Sequence, residues 1–445
     1  MSKHFVLPAF LLVLFGLLGG CAARPGPELL APLAQPVSTQ RQVELTVATD
    51  REPDVKNAGN FTNNRSYCLH FAHYVISIPP NHKTSGIEWS PSHVGDPTRS
   101  FTTLSYTPLP DNYLTAEREG EALNNATASP DAARTAVHTQ PEQPVLSAMP
   151  GAPGLPDQEA PDQKSLAVQA SLPDPAPAKS PGQETGQGEA DKHDAGSVVV
   201  FVHGYNTNYA ESVLRMAQLL ADNPSTGEAI LFAWPSDGSL SGYVADKDAA
   251  TFARDHLVRL ITALANDPRH RDITLMAHSM GCWLTMEALR ELRLTGQGRV
   301  LDRLGAVILA APDIDLDVFR AQAQVVGRLE PPITVLASPD DRALEISTRL
   351  GGGRDRVGGL DVRDPRIQEL ASAYGVQLID ISNMAATDSL NHDRFIGAAT
   401  ALRNTLSPKK SANPIRKAGA YVLDAVAAVL ETPGRIGRAA ADRVQ

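Results

Sequence analysis

From residue 197 onward the chain repeats one pattern, a short uninterrupted apolar run followed by a longer stretch with helical spacing. Residues 198–202 (Val-Val-Val-Phe-Val), 229–233, 273–277, 304–310, 333–337 and 376–381 are strand-length runs with almost no polar position. A strand that is apolar on both faces needs cover on both faces, which a parallel sheet lined by helices provides. Between the runs, residues 211–221, 245–265, 281–294, 318–326, 343–350 and 394–405 carry the period of helices. Strands alternating with helices predict a doubly wound α/β fold with a mostly parallel sheet.

Upstream the pattern differs. Residues 43–49 alternate apolar and polar, as a half-buried strand does, and 73–78 form a second strand stopped by Pro79-Pro80. Residues 87–89 and 101–106 add two further candidates. These N-terminal strands, within 43–116, are expected to join the same sheet as the core at 197–407. Residues 117–196 between them are rich in Pro, Ala, Gln, Asp and Glu and have no apolar period. Such a stretch buries too little surface to offset its chain entropy and reads as a disordered insertion that loops out. The C-terminal tail, 408–445, holds an amphipathic helical segment at 421–430 flanked by Lys and Arg, suited to docking on its own domain or lying on a membrane.

The first residues carry an address. Lys3 precedes an apolar run, 5–18, too short for an ordinary membrane-spanning helix. The run ends in Leu18-Gly19-Gly20-Cys21, which resembles the lipobox of bacterial lipoproteins. That resemblance implies a signal peptide at 1–20, a lipidated Cys21 that attaches the chain to a membrane, and a Pro- and Ala-rich tether at 21–42. Ala22, where inner-membrane lipoproteins carry Asp, implies an outer-membrane protein facing the periplasm. A net charge of -10 argues against a nucleic-acid partner. Cys68 and Cys282, the other two cysteines, are expected to be free and buried. No Cys/His spacing suggests zinc, and no metal or cofactor is implied.

Ala277-His278-Ser279-Met280-Gly281 lies between a strand and a helix. A sharp strand-to-helix turn thrusts a serine Oγ out at the sheet edge, and small flanking residues relieve the crowding. Ser279 is therefore the candidate nucleophile, with Ala277 in place of the first glycine of G-x-S-x-G. The Met280 N–H, at a helix N-terminus, would face a developing oxyanion. A second donor is expected after the first core strand, at the N–H of Tyr205 in His203-Gly204-Tyr205-Asn206, with His203 bracing that loop. A serine needs a base, and the base an orienting acid. His392 is the one histidine after Ser279. Asp341, beyond the 333–337 strand, is favoured as the acid, with Asp340 and Asp313 as the other candidates.

These segments together resemble a bacterial α/β-hydrolase family of uncharacterised, esterase/lipase-like proteins. The likeness rests on Phe201 to Asn206, Phe232-Ala-Trp-Pro-Ser236, 277–281, Ala310-Ala-Pro-Asp313 and 338–344, with Ala48 to Arg51 and Ser77 to His82 upstream. It implies the α/β-hydrolase fold, a small ester or lipid-like substrate, and the acid at Asp341, the residue before a basic residue and Ala-Leu. The family's His-Ser-Tyr around the base is His392-Asp393-Arg394 here. The expected activity is carboxylic-ester hydrolysis through an acyl-enzyme. The alternatives are acyl transfer by the same residues, or an inactive hydrolase fold serving as an envelope interaction protein.

Overall fold

A computed structural model describes residues 24–33, 41–57, 59–90, 94–114, 196–224 and 227–399. The signal segment with Cys21, the expected insertion up to 195 and the tail from 400 lie outside the described residues. The chain divides into two units, and the second, 118–188, falls within that undescribed stretch.

The strands are β1 (Gln42–Pro53), β2 (Phe61–Ser77), β3 (Thr102–Leu109), β4 (Ser197–Val202), β5 (Glu228–Phe232), β6 (Asp272–His278), β7 (Leu304–Ala310), β8 (Ile333–Ala337) and β9 (Val376–Asp380). They form one nine-stranded sheet in the order β3-β2-β1-β5-β4-β6-β7-β8-β9. β1, β2 and β3 are an antiparallel meander, and β1 joins β5 in parallel. From β5 to β9 every pairing is parallel. The helices are α1 (Tyr209–Asp222), α2 (Tyr243–Ala265), α3 (Met280–Leu294), the short α4 (Gly298–Leu301), α5 (Leu316–Val326), α6 (Arg342–Leu350) and α7 (Pro365–Tyr374). This is the doubly wound, mostly parallel α/β fold read from the apolar runs.

The period of two along each strand divides the core into two layers. Val198, Val200 and Val202 of β4, with Ile273, Leu275 and Ala277 of β6, face a layer covered by α2, α3 and α5. Phe201 and Met276, one position out of phase, face a second layer covered by α1 and by Phe395 and Ile396. α1 starts at a capping box in which Asn208 and Glu211 satisfy each other's backbone N–H groups.

Several expectations need correcting. Residues 87–89 are not a strand, because Ile87 and Trp89 are used to cover the second core layer instead. β2 begins at Phe61 rather than at 73; its polar start is carried by ladder pairing with β1, Phe61 opposite Pro53 and Arg65 opposite Arg51. α7 has no fully buried residue and turns only the half-buried Ile367, Ala371 and Tyr374 to the first core layer, while Asp364 caps its start and Gly375 ends it in the left-handed region. Cys68 is exposed rather than buried, whereas Cys282 is buried as expected, and both are free. The helix expected at 394–405 begins at 395 and can be followed to 399.

The expected tether is the largest departure. Residues 24–33 form an arm packed against the domain, with a short 3-10 turn at Pro27–Leu30. Leu29 and Leu30 are buried in the second core layer, and the Leu33 N–H donates to the Thr103 carbonyl. Leu30→Ala should therefore cost about 2–4 kcal/mol of unfolding free energy in urea titration; a bare spacer would leave the midpoint unmoved.

Candidate active site

Ser279 follows the last residue of β6 and precedes the first of α3. Its backbone has φ 53° and ψ -121°, a conformation that costs a non-glycine residue free energy and persists only when its surroundings enforce it. Here they do. The Ser279 N–H donates to the Ala310 carbonyl at 3.0 Å, and its own carbonyl accepts from Cys282 and Asp313 N–H groups. A Cβ on Gly281 would sit 2.4 Å from the His203 carbonyl oxygen, so only glycine lets α3 start this close to the end of β4. A Cβ on Gly204 would sit 3.0 Å from Ser279 Cβ, so the loop after β4 runs directly against the serine. Ala277 is wholly buried and tolerates the methyl where the motif usually has glycine.

The loop that carries Tyr205 is held from behind. His203 is buried, its Nε2 is 3.1 Å from the Trp234 carbonyl, and its ring stacks on the indole. Burial, with Arg51 nearby, pulls its pKa down to about 3, so it is a neutral brace and no base. Asp246, fully buried on α2, accepts from Ser236 Oγ at 2.6 Å, the Asp237 N–H at 2.7 Å and the Asn206 N–H at 3.1 Å. One carboxylate thus ties the loop after β4 to the loop after β5. Among the described residues the N–H groups of Tyr205 and Met280 have no protein acceptor.

The three candidate acids have different partners. Asp341 caps α6, its Oδ1 accepting from the Leu344 N–H at 3.0 Å, while Oδ2 lies 2.7 Å from His392 Nδ1. Asp340 instead forms a two-pronged ion pair with Arg394, with Nη2 2.8 Å from Oδ2, which holds its carboxyl at about 2. Arg394 also donates to Ser338 Oγ at 2.6 Å, so it fastens the His392 loop to the end of β8. Asp313 is turned away, accepting from Ser347 Oγ at 2.6 Å and Tyr243 Oη at 3.0 Å with Arg356 at 3.3 Å. Of the three, only Asp341 touches the histidine.

His392 is further set by Asp388, which accepts its backbone N–H at 2.9 Å. Burial works against an imidazolium, but the hydrogen bond and charge of Asp341, with Asp388 and Asp313, prevail and raise its pKa above the usual 6.5. Beside it the His278 ring, 4.6 Å away between centroids, is half-buried, and desolvation and His392 itself hold its pKa well below the usual value. His278 therefore stays neutral, stacks on Phe395 and meets the His392 carbonyl through Nε2 at 3.3 Å. No hydrogen bond between Ser279 Oγ and His392 Nε2 closes among the described residues; such contacts are often long without substrate. A cavity of about 180 Å³ lies on the far side of the Asn206 loop, between Arg51, Asn63, Asn208 and Asp237, and none of Ser279, His392 and Asp341 lines it.

A family model described as alpha/beta hydrolase of unknown function (DUF900) matches residues 183–407, just over half of the chain. The chain belongs to that family. No curated protein matches this α/β hydrolase. Among solved structures it is similar to the esterase Pf2001 of Pyrococcus furiosus, with 13% identity over 48% of this chain and 82% of that one and a TM-score of 0.26. DphMB1 gives 14% identity over 50% and 79%, also at a TM-score of 0.26. Olei00960, a hydrolase from Oleispira antarctica, gives 12% over 46% and 78%, at 0.21. Likeness this distant says nothing of substrate.

Asp246, His278 and Arg394 went unforeseen. Asp246 had a signal, since it lies three and four residues before Ala249 and Ala250 on the buried face of α2, where a carboxylate must find donors. His278 and Arg394 had none, because their partners are remote in sequence. Asp246→Ala would strand three donors and should cost about 3 kcal/mol or more in chemical denaturation; a loss under roughly 1 kcal/mol would mean the loops are held by other contacts.

Proposed function

We propose that this α/β hydrolase is a serine carboxylic-ester hydrolase, with Ser279 as nucleophile, His392 as base and Asp341 as the acid that orients it. The observation that carries the reading is the 2.7 Å contact of His392 Nδ1 with Asp341, next to a serine held at positive φ on a strand-to-helix turn. A carboxylate only accepts, so the contact keeps the imidazole proton on Nδ1 and leaves Nε2 free to take another. Ser279 Oγ attacks the ester carbonyl carbon as Nε2 removes the hydroxyl proton. The oxygen that becomes negative is held by the N–H groups of Tyr205 and Met280. The imidazolium, favoured by Asp341 and Asp388, returns its proton to the departing alkoxide, which leaves as the alcohol. Water, deprotonated by the same Nε2, then attacks the acyl-enzyme and releases the acid and free Ser279. Each step uses side chains and backbone of this chain alone. The lipobox-like Cys21 adds a membrane anchor at the outer membrane, facing the periplasm, and a small ester or lipid-like substrate suits that setting.

A fluorophosphonate probe should label the wild type and leave Ser279→Ala unlabelled; labelling that persists in the variant would remove Ser279 from the mechanism. His392→Ala should lower kcat on a p-nitrophenyl ester by about 10³-fold or more. Because the base must be neutral, kcat/KM should rise with pH through a midpoint above 6.5, the raised value of His392. Asp341→Asn removes the main cause of the rise, so the midpoint should move down and kcat should drop. Asp340→Asn should leave the midpoint in place, and a shift of equal size in both variants would contradict the assignment.

A further inference from the structure

The arm that replaces the expected tether ends on the candidate active site. Arg24 spends every guanidinium donor there: Nε and Nη2 grip the Glu211 carboxylate at 2.6 Å, Nη1 donates to Asn206 Oδ1 at 2.9 Å and to the Gly238 carbonyl at 2.7 Å, and Nη2 also reaches the Asn206 carbonyl. Asn208 Nδ2 holds the next residue by the Pro25 carbonyl at 3.0 Å. Asn206 directly follows Tyr205, so the start of the described arm is fastened one residue from the proposed oxyanion donor. Cys21 lies three residues before Arg24. Three residues of extended chain reach at most about 11 Å. A lipid on Cys21 could not let this domain swing freely; it would hold this face close to the bilayer.

The same face exposes apolar side chains. Leu240 is 80% exposed and Val244 75%, on either side of Tyr243. The Tyr205 hydroxyl donates to the Leu240 carbonyl, and the Tyr205 and Tyr243 rings meet edge to face at 5.3 Å. Tyr243 Oη lies 3.1 Å from Ser347 Oγ on α6, where the neighbouring Ile346 and Leu350 are 49% and 68% exposed. Exposed leucines scattered singly need no explanation, but these four large apolar residues are grouped around the joined Tyr205, Tyr243 and Ser347, next to the loop that carries the proposed oxyanion donor. Arg342 and Arg349 are exposed on the same helix, with Glu345 paired to Arg349, a mixture suited to a phosphate-bearing headgroup layer.

We propose that this face rests on a lipid surface, with Leu240, Val244, Ile346 and Leu350 in the interface, and that the ester is drawn from that membrane rather than from solution. The proposal rests on the lipidation of Cys21 and on the serine-hydrolase reading, and it narrows the latter to membrane-borne esters.

The test uses the full lipidated chain in vesicles of phosphatidylethanolamine and phosphatidylglycerol. With exposed Cys68 replaced by serine, an environment-sensitive fluorophore is attached to Leu240→Cys or to Thr295→Cys. The latter lies at the far end of α3, a 15-residue helix that carries it about 22 Å from Ser279. The Leu240→Cys fluorophore should shift to the blue and be quenched by doxyl-labelled lipid, while the Thr295→Cys fluorophore stays as in water. In parallel, Ile346→Asp/Leu350→Asp should lose about tenfold or more in turnover of a vesicle-borne ester, with a water-soluble short-chain ester hydrolysed as by the wild type. A water-exposed fluorophore at both positions, or equal losses on both esters, overturns the membrane-facing orientation. Fluorophosphonate labelling of Ser279 in the same samples reports the hydrolase reading separately, and the mass of the N-terminal peptide reports the lipid. An embedded fluorophore without labelling would sink the enzyme and keep the orientation; an unmodified Cys21 would sink the orientation at its anchor.

Discussion

Everything in the site depends on how closely two pieces of backbone approach. The start of α3 lies so near the end of β4 that the His203 carbonyl leaves no room for a side chain at Gly281, and His278 and Ser279 leave almost none at Gly204 in the loop that follows β4. That contact forces the serine into its left-handed turn and sets the Tyr205 loop against it. Catalytic geometry and steric exclusion are then one constraint. The free energy that holds an unfavourable backbone conformation comes from the sheet core, where Val202 and Ala277 are paired in register and wholly buried.

Around this contact the protein uses buried charge to hold loops. Asp246 gathers two loops from inside, Arg51 donates from β1 to the Thr207 and Ser236 carbonyls, and Arg24 closes over them from outside. Asp246 and the Nη groups of Arg51 are met by donors and carbonyls of these loops, so much of the cost of burying them is offset by fixed geometry, while Arg24 is exposed and pairs with Glu211 and Asn206. The N-terminal meander and arm are thus not ornaments on a catalytic half. They supply the outer wall of its loops.

Much of this was legible in the sequence. The alternation of apolar runs from 197 to 381 gave the sheet and its order of helices, because a strand buried on both faces has little choice of residue. Ser279 stood out as a candidate because strand and helix signals flank it at once, and His392 because nothing else downstream carries an imidazole. The acid could not be separated from its neighbour by spacing, since Asp340 and Asp341 differ only in which one the chain turns toward Arg394. The arm was misread for a physical reason too. Pro and Ala signal a spacer, while two leucines and one arginine, the residues that dock it, are too few to make a period. α7 shows the converse, a helix marked by its caps, whose core-facing side of Ile367, Ala371 and Tyr374 is only half-buried and so gives a weak period.

The order of strands in the sheet has a consequence of another kind. β3 lies at one edge, and the next strand in sequence, β4, lies near the middle. Neither depends for its pairing on what links them: β3 is laddered to β2, and β4 to β5 and β6. Chain can therefore be gained, lost or exchanged at that joint while the register of every strand is kept. The residues proposed for catalysis all come after it, so a change at the joint alters what the molecule meets without touching them.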